Sequence, residues 1–324
     1  MSTSIDDYLS NHAARFEDEL CELLRIASVS ADSTRKPDVR RAAEWVAGQF
    51  RTLGLTTEIC ETAGHPIVYA EHCRAPGAPT VLVYGHYDVQ PPDPLDLWHT
   101  PPFEPTRRNG NIYARGATDD KGQMFTHVKS AEAWLKAGNG TLPINIKYII
   151  EGEEEVGSEH LADFIKANKA KLKSDVCVVS DTSQFGPGLP AITYGLRGIA
   201  YFELILTGPD RDLHSGVFGG AVVNPATALT KILAQFVDAD GRVQVPGFYD
   251  DIIPLSDQER KQYASLPYDE AEFMRSIGVG ALAGEKGFTN LERRSARPTF
   301  DINGLTSGYQ GEGAKTVLPS RASA

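Results

Sequence analysis

Apolar and polar side chains alternate along the chain first at helical spacing and then, further on, at strand spacing. Ile5, Tyr8, Leu9, Phe16, Leu20, Leu23 and Leu24 recur at helical intervals, as do Val39, Ala42, Ala43, Val46, Phe50 and Leu53, and the second series stops at Gly54. Two amphipathic helices are therefore predicted to open the chain. Short apolar runs at 66–70 and 79–84 read as strands, followed by a proline-rich loop from Gln90 to Pro105 and a short strand near Ile112. A helix from about Asp120 to Ala137, a strand at 144–150, a helix from Ser158 to about Lys171 and a strand at 175–180 come next. Strands alternating with helices predict an α/β fold, a mainly parallel sheet with helices on both faces.

The texture changes after about Tyr194. Residues 198–208 alternate like a half-exposed strand, Asn224 and Pro225 open a helix through about Val237, and a polar stretch leads to TFDINGL at 299–305. This predicts a second, smaller α+β domain, with boundaries of 1–195 and 196–324. The closing LPSRASA reads as a strand entering another element, without a polar tail or helix stop, so a fragment of a longer chain is expected.

Composition narrows the function. The 324 residues carry a net charge of −11, so there is no excess of positive charge to neutralise phosphates, and neither nucleic acid nor an anionic membrane is expected as a partner. A cation suits the chain better. MSTSIDDYLS lacks the basic and apolar regions of a signal peptide, and no apolar run is long enough to span a bilayer, so a cytoplasmic protein is expected. Cys21, Cys60, Cys73 and Cys177 lie far apart without a CxxC pair and are expected as reduced thiols.

Candidate chemistry gathers where predicted strands end, the edge at which open α/β sheets bind ligands. The strand at 79–84 runs into His86 and Asp88, which the period of two places on one side, so Asp88 can hold one imidazole nitrogen while the other ligates a metal. A buried histidine satisfied by a carboxylate is the simpler reading of that pair alone. Asp119 and Asp120 stand where a loop enters a helix, and capping would account for one of them. Glu151, Glu153, Glu154 and Glu155 crowd after the strand at 144–150, either as a solvated charge run or around a cation, and Asp181 follows the next strand. Taken together, one histidine and carboxylates at four successive positions point to a metal site. Mixed imidazole and carboxylate donors suit zinc, manganese or cobalt, and an acidic pair sharing a site suits two ions. There is no GxSxG elbow, Walker sequence or dinucleotide fingerprint, and HSGVFGG does not match GxGxxG.

These motifs resemble the co-catalytic two-zinc exopeptidases and amidohydrolases, a family that includes carnosinase, cytosolic dipeptidases, acetylornithine deacetylase, succinyl-diaminopimelate desuccinylase and glutamate carboxypeptidase. The matching segments are GHYDVQPP (85–92), IYARGATDDKG (112–122), EGEEEVGS (151–158), SDT (180–182), RDLHSGVFGG (211–220) and GEGAKTVLP (311–319), in the family's order. The PPDPLDLWHTPPF loop and RDLHSG look most like the dipeptidase branch. The resemblance implies that His86 and Asp181 ligate one metal, Glu155 ligates the second and Asp119 bridges both. It further implies that Asp88 orients His86, that Glu154 is the general base, and that the Asp119–Asp120 peptide is cis. By the same resemblance His214 reaches the active site of the neighbouring subunit of a homodimer and stabilises the carbonyl oxyanion. Thr316 matches a position that contacts substrate.

The family continues past this point through a substrate-binding Arg and a final His ligand. No histidine follows His214 here, so this stretch is expected to bind metal weakly and not to turn over. The function expected of the whole protein is metal-dependent hydrolysis of dipeptides or short peptides. A deacylase of N-acyl amino acids and a non-catalytic chain that binds metal or a partner are the alternatives.

Overall fold

The computed structural model describes residues 4–186 and 188–324, so the first three residues of the polar N-terminal stretch lie outside the described residues. The chain forms two compact units, Met1–Ile192 and Thr193–Ala324.

The first unit opens with α1 (Ile5–Leu24), whose N-cap Ser4 accepts a hydrogen bond from the Asp7 amide while Asp6 and Asp7 complement the helix dipole. Next come α2 (Lys36–Thr52), β1 (Thr56–Cys60), β2 (Ile67–His72), β3 (Thr80–His86), and a small hairpin of β4 (Thr106–Arg108) and β5 (Asn111–Tyr113). The unit continues through α3 (Lys121–Ala137), β6 (Asn145–Glu151), α4 (Leu161–Ala167), α5 (Lys169–Leu172) and β7 (Val176–Val179).

The expected α/β sheet has five strands in the order β1-β2-β6-β3-β7. It is mixed, which corrects the expectation of a mainly parallel sheet. β3 runs parallel to β6 and β7, whereas β1 and β6 both run antiparallel to β2. The cause is the short connection between Cys60 and Ile67, which returns the chain as an antiparallel neighbour and leaves no room for a crossover helix.

Alternation along the strands covers both faces. Val68, Ala70, Val83, Tyr148 and Ile150 pack on one face with the apolar stripes of α1, α2 and α3, including Leu23, Val39, Val46, Phe50 and Phe125. Ile67, Tyr69, Leu82 and Ile149 point to the other face and meet Leu161, Phe164 and Leu172 of α4 and α5. Burying each large apolar side chain in such a core contributes roughly 1.5–3 kcal/mol. The single helix expected from Ser158 to Lys171 is broken at Asn168, whose side-chain amide donates to the Phe164 carbonyl 2.9 Å away.

The second unit comprises β8 (Ile205–Thr207), β9 (Leu213–His214), α6 (Ser215–Phe218), α7 (Pro225–Leu233), α8 (Asp257–Ser265), α9 (Glu270–Ile277), α10 (Asn290–Ser295), β10 (Thr306–Ser307), β11 (Val317–Leu318) and β12 (Arg321–Ser323). β8 pairs with β12, and β9 with β11. The expected strand at 198–208 is confined to residues 205–207, because pairing with β12 covers only that stretch and leaves Ile199, Tyr201 and Phe202 exposed. TFDINGL carries no regular element, and pairing starts at Thr306. The helix opened by Asn224 and Pro225 is present, capped by the Asn224 side chain on the Ala226 amide.

Candidate metal centre

His86 ends the interior strand β3, in register with Glu151 at the end of the central strand β6. Asp181 lies two residues beyond β7, and Asp119 and Asp120 precede α3. The parallel strands deliver these groups to one edge. Gly85 lets the chain come close there, since a Cβ at that position would stand 2.8 Å from the Asp120 carboxylate. That carboxylate accepts the His86 amide at 3.0 Å.

The His86 ring is fully buried. Its Nδ1 faces Asp88, 3.1 Å from the carbonyl oxygen and 3.3 Å from Oδ1. The Asp88 carboxylate, also fully buried, accepts the amides of Glu154 and Glu155 at 3.3 and 3.1 Å, so one carboxylate fixes both the imidazole and the acidic turn. Nδ1 as the donor leaves the Nε2 lone pair aimed the other way. There it meets Asp119 Oδ1 at 3.2 Å, Asp181 Oδ2 at 3.5 Å and Glu154 Oε2 at 3.9 Å, and it has no hydrogen-bond partner.

Two sets of potential ligand atoms emerge among the described residues: His86 with Asp119 and Asp181, and His86 with Glu154 and Glu155. The structure thus brings together His86, Asp88, Asp119, Glu154, Glu155 and Asp181. The Asp119–Asp120 peptide is cis.

The charge balance suits a divalent cation. Burial alone would lower the His86 imidazole, but Asp88, Asp120 and Glu154 outweigh it and push it up to about 10. Burial raises Asp120 to about 7, against the opposing pull of the His86 amide and ring. Burial also raises Glu154 and Glu155, with Glu155 adding to the rise at Glu154 and Asp119 to that at Glu155. Without a cation the cluster therefore holds protons, and a metal ion replaces them on an imidazole-and-carboxylate donor set. The orphaned, buried Nε2 fits that replacement.

His214 and Thr316 belong to the second unit, where the β9–β11 register places His214 opposite Val317. Their side chains meet, His214 Nε2 to Thr316 Oγ1 at 3.3 Å. The Gly216 amide donates to His214 Nδ1 at 3.1 Å, which leaves Nε2 as the protonated nitrogen of the neutral ring.

Three contacts went unread in the sequence. Gln90 donates to Glu155 Oε2 at 2.6 Å, and Tyr84 and Ser158 donate to the Glu151 carboxylate at 2.7 and 2.8 Å. The place of Gln90 directly after the His86–Asp88 motif was the available signal. Glu151 is thereby a buried, satisfied anchor beneath the cluster.

Residues 82–307 match the family described as peptidase family M20/M25/M40. The chain is 36% identical over 337 residues to the Cys-Gly metallodipeptidase dug1 of Schizosaccharomyces pombe, covering 99% of this chain and 71% of that protein. It is 36% identical over 302 residues to the human Beta-Ala-His dipeptidase, covering 93% of this chain and 58% of that one. The solved structure of the dipeptidase Dug1p from Saccharomyces cerevisiae superposes with a TM-score of 0.84 at 30% identity, over 100% of this chain and 71% of that one. Because the family match contains every residue of the cluster around His86 and extends over most of the chain, the chain belongs to peptidase family M20/M25/M40.

Proposed function

We propose that the whole protein to which this stretch belongs acts in metal-dependent hydrolysis of dipeptides or short peptides, using two divalent ions, zinc first and manganese or cobalt as alternatives. The observation that carries the reading is the buried, unpartnered Nε2 of His86 facing Asp119, Asp181 and Glu154. His86 and Asp181 would hold one ion and Glu155 the other, with Asp119 shared between them and Asp88 fixing the ring. Bound ions would polarise the peptide carbonyl and acidify the attacking water.

Glu154 serves as the base. It sits beside the ligands with no hydrogen bond donated to its carboxylate by a fixed partner among the described residues, and its raised pKa suits a group that takes a proton and returns it to the leaving amine. His214 donates from Nε2 to the developing oxyanion, and Thr316 lies beside it on the substrate side. Following the family resemblance, His214 acts on the partner's site within a homodimer formed through the second unit. The names of the relatives suggest Cys-Gly and β-Ala-His as first substrates. Among the described residues no helix is long and apolar enough to cross a membrane.

The test pairs elemental analysis with turnover. The expected result for the whole protein is about two zinc or manganese ions per chain, with cleavage of Cys-Gly or β-Ala-His abolished by chelation and restored by metal. Cleavage of N-acetyl amino acids but not of dipeptides would transfer the reading to a deacylase. Metal uptake without either activity would make this a binding chain.

A further inference from the structure

Lys121, the first residue of α3, is fully buried yet takes no part in the chemistry above. Its Nζ reaches no carboxylate. It donates instead to two main-chain carbonyls at the end of α1, Leu23 O at 3.2 Å and Ile26 O at 2.7 Å. Each bond needs only one N–H, so the amine makes both with or without its third proton.

The segment that Lys121 grips continues into the loop after β3. Two residues past Ile26, the Ser28 hydroxyl donates to Tyr87 O at 2.7 Å and the Val89 amide donates to Ser28 O at 3.0 Å, while Val29 and Val89 form a parallel bridge. The contacts form one path. It starts at the residue after Asp120, crosses residues 23–29, and ends on the two residues that flank Asp88. Both halves of the cluster, His86–Asp88 and Asp119–Asp120, are therefore fastened to the same short segment. Packing tightens the joint, because a Cβ on Gly116 would meet Val89 Cγ1 at 2.9 Å and Lys121 Cδ at 3.1 Å.

We propose that Lys121 is a positioning residue for the metal centre, holding Asp119 at its distance from His86 through the segment from Leu23 to Val29. The proposal rests on the metal reading above. Leu23 O and Ile26 O also accept the amides of Ile26 and Ser28, so they keep one partner each if the amine is removed. Loss of Lys121 is thus expected to loosen the ligands more than the fold.

The experiment compares the chain with Lys121→Met, a side chain of similar length without donors. Metal affinity is measured by competition with a chromophoric chelator, the visible spectrum of the cobalt-loaded protein is recorded, and metal-free protein is melted in parallel. The expected result is metal affinity weaker by roughly 10–100-fold, the range of groups that orient metal ligands. A changed cobalt spectrum and little change in the metal-free melting temperature should accompany it. Unchanged affinity and spectrum in folded K121M would overturn the proposal, whatever happens to the melting temperature. If K121M does not fold, Ser28→Ala cuts the same path at its other end and carries the same expectation. A chain that takes up no metal before any substitution overturns the metal reading itself, a result separate from the others.

Discussion

His86 shows how much a single ring can be made to do by its surroundings. Burial, the Asp88 contact on Nδ1 and the carboxylates around Nε2 orient one lone pair at one place. Glu154 differs from Glu155 at that place because Gln90 donates to the Glu155 carboxylate, whereas no hydrogen bond to the Glu154 carboxylate is made among the described residues, which suits the proposed base. Glu154→Gln keeps the size of the group and removes the base. It is expected to lower kcat by about 10²–10⁴-fold while metal content, read by elemental analysis, stays the same. Parallel loss of metal and activity would instead make Glu154 a ligand. At this scale the sequence was most legible: His86, Asp88, Glu154, Glu155 and Asp181 were visible as polar residues just past apolar runs, and Asp119 as one of two aspartates where a loop enters a helix. The Lys121 contacts were not, because a lysine next to two aspartates reads as a surface charge until its backbone acceptors, some 95 residues earlier, are known.

Among the elements, α1 and α3 are joined by charge as well as by apolar packing. The Glu132 carboxylate, nearly buried, accepts from Lys129 Nζ at 2.9 Å, from the Tyr8 hydroxyl at 3.0 Å and from Arg15. Lys129 in turn pairs with Glu19 and donates to Gln49 Oε1 at 2.9 Å on α2. Burial alone would raise the Glu132 carboxyl, but Arg15 and Lys129 outweigh it and hold it below the ordinary value. A depressed folded pKa means that this stabilisation is complete above the unfolded value of about 4.3 and is lost as the pH falls through the folded value. Glu132→Gln is expected to cost about 3 kcal/mol at pH 7, in the range for breaking one partner of a buried pair. The gap between variant and parent in urea unfolding should narrow as the pH is lowered from 7 to an acid pH at which the parent carboxyl, held below its ordinary value, takes up its own proton. Unfolding curves separated equally at both pH values would rule this account out. The sequence missed β1 at this scale, because Thr56–Cys60 is a polar edge strand recognisable only beside β2, and it overextended the strand at 198–208 because apolar alternation cannot say where a pairing partner ends.

On the scale of the whole molecule, the two units are built differently. The first has apolar cores on both faces of its sheet, whereas the second relies on short strand pairs and on polar locks such as the buried Arg297–Glu285 pair, made at 2.8 and 3.0 Å. Exposed apolar groups at Val217 and Phe218, in the helix that directly follows His214, suit a unit that meets another surface. If His214 acts on the partner's site, chains carrying His214→Ala and chains carrying Glu154→Gln are each nearly inactive alone. Mixed and allowed to exchange subunits, they should recover up to about a quarter of the activity, because half of the dimers pair one intact base with one intact histidine in a single site. No recovery, with subunit exchange verified by mass, would place His214 in its own chain's site or outside catalysis.

What the sequence by itself determined was the type of most elements of the first unit and the polar residues that gather around His86. Amphipathic period is a property of neighbouring residues, and sheet-edge carboxylates stand directly after the strands that carry them. Tertiary structure alone decided the mixed direction of the sheet, the limits of the short strands and the path from Lys121 through Ser28 to Tyr87. Each depends on groups that are distant along the chain, and only the folded backbone brings a donor within about 3 Å of its acceptor.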